Sequence, residues 1–449
     1  MKKVRQEEKI KIRKSEALRI MRYRPIQSSL FTGNRARLKN QLKPNSIAIF
    51  NANDSMPKSA DGIHPFVQNT DLFYLSGIDQ EETVLLLYPD SKEKKHREVL
   101  FIKETSDEIA IWDGPRHNFK KAEAISGIET VCWTKEFEKI FRPLAFEADH
   151  IYLNTNEHPR ADITVETRDM RFLRWCQSAF PLHKYERLAP LMQYLRAVKS
   201  SEEINLIQEA CGIADKAFRR ILRFVKPGVW EFEIEAEIVN EFIKNRSRGP
   251  AFQTIVASGA GSCVLHYIQN DQKCRKGDVL LMDFGAEYAN YSSDVTRTIP
   301  VSGKFSERQR MVYQAVRRVQ KEAIQMLRPG ISITEYQKEI GSIMEEELAG
   351  LGLLNSGSTG NPDDEKSKVK QYFMHGISHH LGLDVHDLGN KYRKFEKGMV
   401  LTCEPGIYIR EENTGIRIEN DILITDGNPV DLTEKIPVEA EEIEELMHS

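Results

Sequence analysis

Two stretches of this chain, 121 residues apart, repeat one pattern, and each places a carboxylate at the same point of it. In both, a Lys-Gly pair leads into an apolar strand-like run, an acidic residue follows seven positions after the Lys, and a Gly stands two beyond. The stretches are 276–285, which carries Asp283, and 397–406, which carries Glu404. An ionised carboxylate inside an apolar strand is costly unless another group pairs with it. The matched positions predict two halves that deliver negative charge to one shared site, with a bound metal as the obvious partner.

The repeat extends upstream of both stretches. A Pro-Gly turn follows an amphipathic helix at 227–228 and again at 329–330, and an isoleucine stands eleven residues after each Pro, at Ile238 and Ile340. The interval is 102 residues at the Pro-Gly turns and 121 at the Lys-Gly turns, and a polar insertion at 355–370 absorbs most of the difference. The alternative is chance recurrence of such turns, but two matches in the same order favour an internal duplication.

Composition excludes several classes of protein. The chain has 449 residues, enough for two domains, and its net charge of -3 gives no indication of a nucleic-acid-binding surface. No apolar run approaches the roughly 20 residues of a membrane span. A basic arm over 1–27 lacks the apolar core of a signal peptide. Six scattered cysteines without a CxxC pair fit reduced thiols in a cytoplasmic enzyme.

The order of apolar and amphipathic segments predicts two domains. Apolar runs at 46–50, 83–88 and 99–102 alternate with helical segments and predict an α/β domain over residues 1–185. Residues 186–449 form the second domain, in which the duplicated helices and strands predict an α+β fold with an internal pseudo-twofold.

Four acidic residues and a histidine-rich stretch form the chemical constellation. Asp283 and Asp294 are eleven residues apart, and a hairpin with an even number of loop residues would make them cross-strand neighbours. Glu404 and Glu419 flank two further strand-like runs, and the stretch 375–387 is rich in histidine. This oxygen-rich set suits two hard or borderline divalent ions, such as manganese, better than structural zinc. Two ions about 3.5–4 Å apart could hold a bridging hydroxide and clamp a substrate oxygen.

These motifs resemble the signature segments of the M24 "pita-bread" metallopeptidases, and within them those of aminopeptidase P (Xaa-Pro aminopeptidase). The resemblance rests on 282–285, 293–298, 374–379, 401–406 and 416–419. A further segment, 68–77, is similar to the N-terminal creatinase-like domain of that family. The resemblance covers nearly the whole chain. It implies a creatinase-like α/β domain followed by a pita-bread catalytic domain.

The resemblance also implies a reaction and a metal site. It implies metal-dependent release of the N-terminal residue from peptides with proline in second position, through a hydroxide bridging two divalent ions per subunit, usually Mn²⁺. Glu404 would act as general base. The implied metal ligands are Asp283, Asp294, His379, Glu404 and Glu419.

Further roles follow from the same resemblance. His386 would stabilise the tetrahedral intermediate, His266 would contact the substrate near the proline, and His375 and Arg417 would shape the proline pocket. Tyr408 and Trp112 join His266 and His386 as expected substrate-binding residues. A tryptophan at the position of Trp112 can close a neighbouring subunit's site in relatives, which implies a homodimer or homotetramer.

Three other readings remain open from the sequence. Prolidase, which cleaves only Xaa-Pro dipeptides, shares the fold and ligands, although Ser378 and the Trp112 segment favour aminopeptidase P. Methionine aminopeptidase usually lacks the large N-terminal domain. Some members, such as certain histone chaperones, keep the fold as a binding module without metal, and creatinase also keeps the fold without the metal site. The presence of all five ligands argues against both alternatives.

Overall fold

The computed structural model describes residues 22–158, 160–161, 164–354 and 368–449. Most of the basic arm predicted over 1–27 and of the insertion predicted over 355–370 lies outside the described residues. The chain divides into two compact units, one over Arg24–Leu195 and one that includes Arg196–Ser449. The boundary expected between residues 185 and 186 falls inside a strand of the first unit. In the described ranges, no helix is both long enough and apolar enough to cross a membrane.

The first unit contains a six-stranded mixed sheet in the order β6-β5-β4-β1-β7-β8 and a separate β2-β3 hairpin. Its strands are β1 Ser46–Asn51, β2 Pro57–Ser59, β3 Gly62–Ile63, β4 Val84–Leu87, β5 Glu98–Ile102, β6 Thr130–Trp133, β7 His150–Leu153 and β8 Lys184–Arg187. Its helices are α1 Ser28–Lys39, α2 Thr70–Ser76, α3 Asp107–Asp113, α4 Phe119–Ser126, α5 Phe137–Glu147, α6 Arg168–Ala179 and α7 Ala189–Ala197, the last crossing into the second unit. The central strands β1 and β4 are buried along their whole length, which confirms the predicted apolar runs.

The second unit contains two three-stranded sheets and two short hairpins, with helices packed against them. Its strands are β9 Ile255–Ser258, β10 Val279–Phe284, β11 Glu287–Tyr288, β12 Tyr291–Ser292, β13 Val295–Pro300, β14 Val400–Cys403, β15 Gly406–Ile409, β16 Thr414–Arg417, β17 Asn420–Leu423 and β18 Val430–Asp431. Its helices are α8 Ser201–Phe224, α9 Glu231–Lys244, α10 Glu307–Met326, α11 Ile333–Gly350 and α12 Ala440–Met447. The two sheets have the orders β13-β10-β9 and β14-β17-β18.

The two halves of this unit match in detail. Gly228 and Gly330, the glycines of the Pro-Gly turns, have φ angles of 101° and 100°, a region that side chains other than hydrogen rarely allow. The N–H of Gly228 donates to the carbonyl of Cys274 at 2.8 Å, and the N–H of Gly330 donates to the carbonyl of Phe395 at 3.0 Å. Cys274 and Phe395 each lie three residues before the Gly of a Lys-Gly turn. The same turn is thus tied to the same point of each half, as a duplicated unit requires.

Candidate metal centre

The first half delivers its two aspartates on one hairpin. Asp283 lies in β10 and pairs with Thr296 of β13, whereas Asp294 stands one residue before β13. The aspartates therefore occupy the same face as diagonal neighbours, and the direct cross-strand pairing expected from sequence is wrong. The hairpin turns at Ala289 and Asn290, whose φ angles of 53° and 68° suit the two-residue turn that matches strand twist. A turn centred there shifts the register so that Thr296, not Asp294, faces Asp283.

The second half delivers its two glutamates from adjacent strand ends. Glu404 directly follows β14, and Glu419 directly precedes β17. The last pair of that antiparallel ladder is Cys403 with Asn420, so Glu404 and Glu419 follow opposite each other just beyond it. Alternation along β14 buries the apolar neighbours of Glu404 while its carboxylate points into the site.

His379 joins carboxylates of both halves. Its Nε2 lies 3.3 Å from Asp294 Oδ2 and 3.6 Å from Glu404 Oε1. One potential ligand atom each of Asp294, His379 and Glu419 lie within 4.8 Å of one another. The Nδ1 of His379 lies 3.0 Å from the carbonyl of His380, which orients the ring with Nε2 toward the acids.

The carboxylates of this site carry more negative charge than their surroundings neutralise. Burial raises the pKa of Asp294 and of Glu419 well above the ordinary range, and the neighbouring carboxylates raise both further. Burial also raises the pKa of Glu404, although His379 and Arg417 oppose that shift. Asp283 Oδ1 is buried and accepts no hydrogen bond. Crowded buried acids with an unsatisfied oxygen fit a site that divalent cations complete.

Arg417 is the one guanidinium that contacts a carboxylate of this set in the described residues. Its Nη2 lies 2.6 Å from Asp283 Oδ2, its Nε donates to Thr296 Oγ1 at 3.0 Å, and its Nη1 donates to the Tyr408 hydroxyl at 3.0 Å. Thr296 Oγ1 in turn donates to Glu419 Oε2 at 2.7 Å. One fixed cation therefore orients acids from both halves but can balance only one negative charge.

The hydrogen bonds of Tyr408 and His375 continue this network. The Tyr408 hydroxyl and His375 Nε2 are 2.8 Å apart, and His375 Nδ1 lies 2.8 Å from the carbonyl of Gly376. Burial, reinforced by Arg417, lowers the pKa of His375 to about 3. The ring is neutral at pH 7, and its donor and acceptor atoms are both used within the protein.

The remaining predicted residues differ in exposure. His386 is exposed and stacks on His379 with ring centroids 4.2 Å apart. His266 is exposed and close enough to His375 for their charges to interact. Tyr408 is completely buried, so it supports His375 and Arg417, and its expected contact with substrate stays a prediction. Trp112 lies on α3 of the first unit and is 89% exposed.

Sequence reasoning missed the residues that hold the ligands in place. Asp421 Oδ2 accepts from the backbone N–H of Asp294 at 3.1 Å, and Thr402 Oγ1 accepts from the backbone N–H of His379 at 3.1 Å. Thr402 Oγ1 also lies 3.3 Å from Glu404 Oε1. Each stands two residues from a predicted ligand in a strand, and side chains at that spacing share a face. That spacing was the signal available in the sequence.

The comparison with known proteins decides the family. A family model described as metallopeptidase family M24 matches residues 205–426. The chain is 35% identical over 438 residues to Xaa-Pro aminopeptidase of Escherichia coli strain K12, an alignment that covers 94% of this chain and 98% of that protein. The chain belongs to metallopeptidase family M24.

Other similarities agree with M24 membership along the whole chain. A model described as aminopeptidase P, N-terminal domain, matches residues 31–152. Xaa-Pro aminopeptidase of Haemophilus influenzae is 33% identical over 436 residues, 93% of this chain and 97% of that protein. A structure of E. coli aminopeptidase P in complex with substrate is similar with a TM-score of 0.83 and 34% identity, covering 94% of this chain and 99% of that chain.

M24 membership confirms the fold class and the class of reaction. The catalytic unit has the pita-bread fold with its internal pseudo-twofold, and the N-terminal unit is of the creatinase-like aminopeptidase P type. As an M24 metallopeptidase, the chain is a hydrolase of peptide bonds that uses divalent metal ions.

Proposed function

We propose that this chain is an aminopeptidase that releases the N-terminal residue from peptides with proline in second position. The observation that carries the proposal is the convergence of carboxylates from both halves on His379, in a buried site with a surplus of negative charge. The 35% identity to E. coli Xaa-Pro aminopeptidase over most of both chains supports the choice of bond.

The donor set fits two divalent ions, for which Mn²⁺ is our proposal. Asp283, Asp294, His379, Glu404 and Glu419 would hold them, because four carboxylates and one imidazole suit hard or borderline cations. When bound, the ions would activate water for attack and polarise the scissile carbonyl. The unsatisfied Asp283 Oδ1 and the raised pKa values of Asp294, Glu404 and Glu419 support this occupancy.

Glu404 is the side chain we assign to proton transfer. Its carboxylate lies 3.6 Å from His379 Nε2 and 3.8 Å from His375 Nδ1, at the centre of the site. Burial raises its pKa toward neutrality, which suits a group that first accepts a proton from the attacking water and then donates it to the leaving proline nitrogen. His386, exposed beside His379, would donate a hydrogen bond to the carbonyl oxygen of the scissile bond.

The proposed preference for proline depends on a pocket that does not require a hydrogen bond from the amide of the second residue. An Xaa-Pro bond has no amide N–H, so a pocket that needed that donor would reject it. Both nitrogens of His375 are engaged within the protein, and its ring therefore presents carbon atoms to a ligand. The partly buried Leu265 and Met374 pack on an apolar cluster near it. We propose that His375, His266 and the buried Arg417 shape a pocket that accepts the proline ring.

Assembly and location are also proposals. Ile111 and Trp112 on α3 are 80% and 89% exposed, an arrangement that suits a contact with a second copy in a homodimer or homotetramer. All six cysteines are free, which is consistent with a reducing compartment such as the cytoplasm.

The test compares an Xaa-Pro-Yaa tripeptide with an Xaa-Pro dipeptide, each assayed after chelation and after Mn²⁺ is restored. Metal-dependent release of Xaa from the tripeptide is the expected result. Cleavage of the dipeptide alone would move the assignment to prolidase. A protein that binds Mn²⁺ but cleaves neither peptide has another substrate class, and one that binds no metal is a non-catalytic module.

A further inference from the structure

A second buried charge cluster lies outside the metal centre, around Asp387. Asp387 Oδ1 accepts from Arg196 Nη2 at 2.5 Å, and its Oδ2 accepts from Lys199 Nζ at 3.0 Å. All three side chains are buried. The same Arg196 Nη2 donates at 2.7 Å to Asp384, whose side chain is 43% exposed. Two cations thus face two carboxylates, and the cluster is balanced without any bound ion.

Asp387 is the residue after His386, so this cluster fixes the backbone next to the exposed imidazole. The N–H of Asp387 donates to the carbonyl of His380 at 2.8 Å, which closes the loop that carries His386. The N–H of Leu388 donates to Asp387 Oδ1 at 2.8 Å, on the other side of the same residue. The backbone on both sides of Asp387 is therefore fixed.

Lys199 is itself bonded to the second half of the catalytic unit. The N–H of Lys199 donates to the carbonyl of Gly398 at 2.8 Å, two residues before β14, the strand that Glu404 follows. Arg196 lies in the last turn of α7 and Lys199 lies in the short segment between α7 and α8, and both side chains donate to Asp387. The carboxylate of Asp387 is thus held against an anchor that the Glu404 strand also contacts.

His379 has a separate support. Its backbone N–H donates to Thr402 Oγ1 at 3.1 Å, and its carbonyl accepts from the N–H of Thr402 at 2.9 Å. These bonds attach the backbone of His379 to β14 without involving Arg196, Lys199 or Asp387. Loss of the cluster would release His386 while leaving His379 attached.

We propose that Arg196 and Lys199, acting through Asp387, are positioning residues that set the His386 imidazole for the substrate carbonyl, a role that rests on the proposed aminopeptidase function. The cluster orients His386 and leaves the metal ligands as they are. Outer-shell groups of this kind typically contribute 10–100-fold to activity.

The experiment measures kcat, KM and Mn²⁺ affinity of the Lys199→Met and Asp387→Asn variants, with Asp384→Asn as the matched control. Asp384 also accepts a hydrogen bond from Arg196, but its side chain is partly exposed. Asp384→Asn therefore makes the same carboxylate-to-amide change at a carboxylate that water can reach. For the Xaa-Pro-Yaa tripeptide we expect kcat to fall about 10–100-fold in the first two variants, with a small change in KM. Mn²⁺ affinity, measured by titration calorimetry, should stay at the wild-type value. Asp384→Asn should retain wild-type kcat.

A double-mutant cycle separates positioning from general damage. If Lys199 acts through His386, Lys199→Met should have little effect in a His386→Ala background, because coupled residues are not additive. The same loss of kcat in both backgrounds would overturn the proposal, as would a folded Lys199→Met enzyme with wild-type kcat. Should Asp387→Asn fail to fold, Lys199→Met alone decides.

A readout independent of turnover distinguishes this inference from the proposed function. The NMR signals of the ¹⁵N-labelled His386 ring should shift in Lys199→Met and stay in place in Asp384→Asn. A wild-type protein that cleaves no tripeptide would refute the aminopeptidase proposal, and the His386 signals would still show whether the cluster sets the ring. Unmoved His386 signals in Lys199→Met would refute the positioning role.

Discussion

The catalytic unit contains two buried carboxylate clusters whose electrostatics are opposite. At Asp387, burial alone would raise the pKa, but Arg196 and Lys199 hold it below its ordinary value. At Asp294 and Glu419, burial and neighbouring acids raise the pKa, and Arg417 opposes this only weakly. The first cluster has cations of the protein in place, whereas the second has a deficit of positive charge.

This difference separates a structural role from a functional one. A buried charge with fixed partners contributes to folding as long as those partners remain. A buried group of acids without partners lowers the stability of the folded protein and is retained where a ligand supplies the missing charge. The same chemical change, carboxylate to amide, should therefore act in opposite directions at the two clusters.

The largest expected effect is a loss of activity after a substitution at the metal centre, the cluster with the deficit of positive charge. Asp294→Asn removes a proposed ligand at the point where the acids meet His379, so the peptide bond loses its metal-assisted activation. We expect kcat/KM for the tripeptide to fall by on the order of a thousandfold or more, which corresponds to several kcal/mol of transition-state stabilisation. Metal content measured on the purified variant should fall with it. Asp426→Asn is the control, because that carboxylate is 72% exposed in an ion pair with Lys397.

The next largest expected effect is a loss of stability after a substitution in the Asp387 cluster. Asp387→Asn removes the buried carboxylate that faces Arg196 and Lys199 and leaves the partly exposed Asp384 in contact with Arg196. Breaking a buried pair in this way destabilises proteins by about 3–5 kcal/mol. Urea unfolding of the metal-free protein at pH 7 measures it, with Asp384→Asn expected to cost less than about 1 kcal/mol. Equal effects of the two substitutions would show that burial does not distinguish these carboxylates.

The metal centre could be predicted from the sequence better than the Asp387 cluster. The Lys-Gly turns and the acids that follow them are local patterns, and duplication displays them twice. Arg196 and Asp387 are 191 residues apart, and no local pattern connects them. Their pairing depends on how the end of α7 packs on the histidine-rich stretch 375–387, which is a tertiary property.

The pairing register of β10 with β13 was the second feature that the sequence could not predict. The position of the hairpin turn between Asp283 and Asp294 depends on which two residues adopt positive φ. Asn290 favours such a conformation, but Ala289 does not, so composition left the turn centre undecided. A shift of one residue in that centre changes the partner of Asp283 from Asp294 to Thr296.

A third prediction uses pH to contrast the clusters. In the metal-free protein, Asp294, Glu404 and Glu419 bind protons more tightly when folded than when unfolded, since their pKa values are raised. Their contribution to stability is therefore complete below the unfolded pKa, about 4, and is lost as pH rises through the raised values. We expect the chelated protein to lose roughly 2–3 kcal/mol between pH 5 and pH 8 in urea unfolding. Saturating Mn²⁺ should abolish that loss.

Asp387 supplies the internal reference for this measurement. Because its pKa is lowered, its contribution is present above about pH 4 and is lost only as pH falls below that value. The Asp387→Asn variant should therefore show the same slope between pH 5 and pH 8 as the wild type. A chelated wild-type protein whose stability is flat over that range would contradict the charge deficit at the metal centre.

The smallest expected effect on stability is the most discriminating, because its sign is opposite to that of the effect at Asp387. Glu419→Gln removes one buried negative charge but keeps an amide oxygen that can accept from Thr296 Oγ1, now 2.7 Å from the carboxylate. At pH 8 the metal-free variant should be more stable than the metal-free wild type by about 1–2 kcal/mol, while being inactive. At pH 5 the raised pKa values favour the protonated acids, so the difference should become smaller. Destabilisation at both pH values would mean that packing, rather than charge, controls this position, and the contrast between the two clusters would fail.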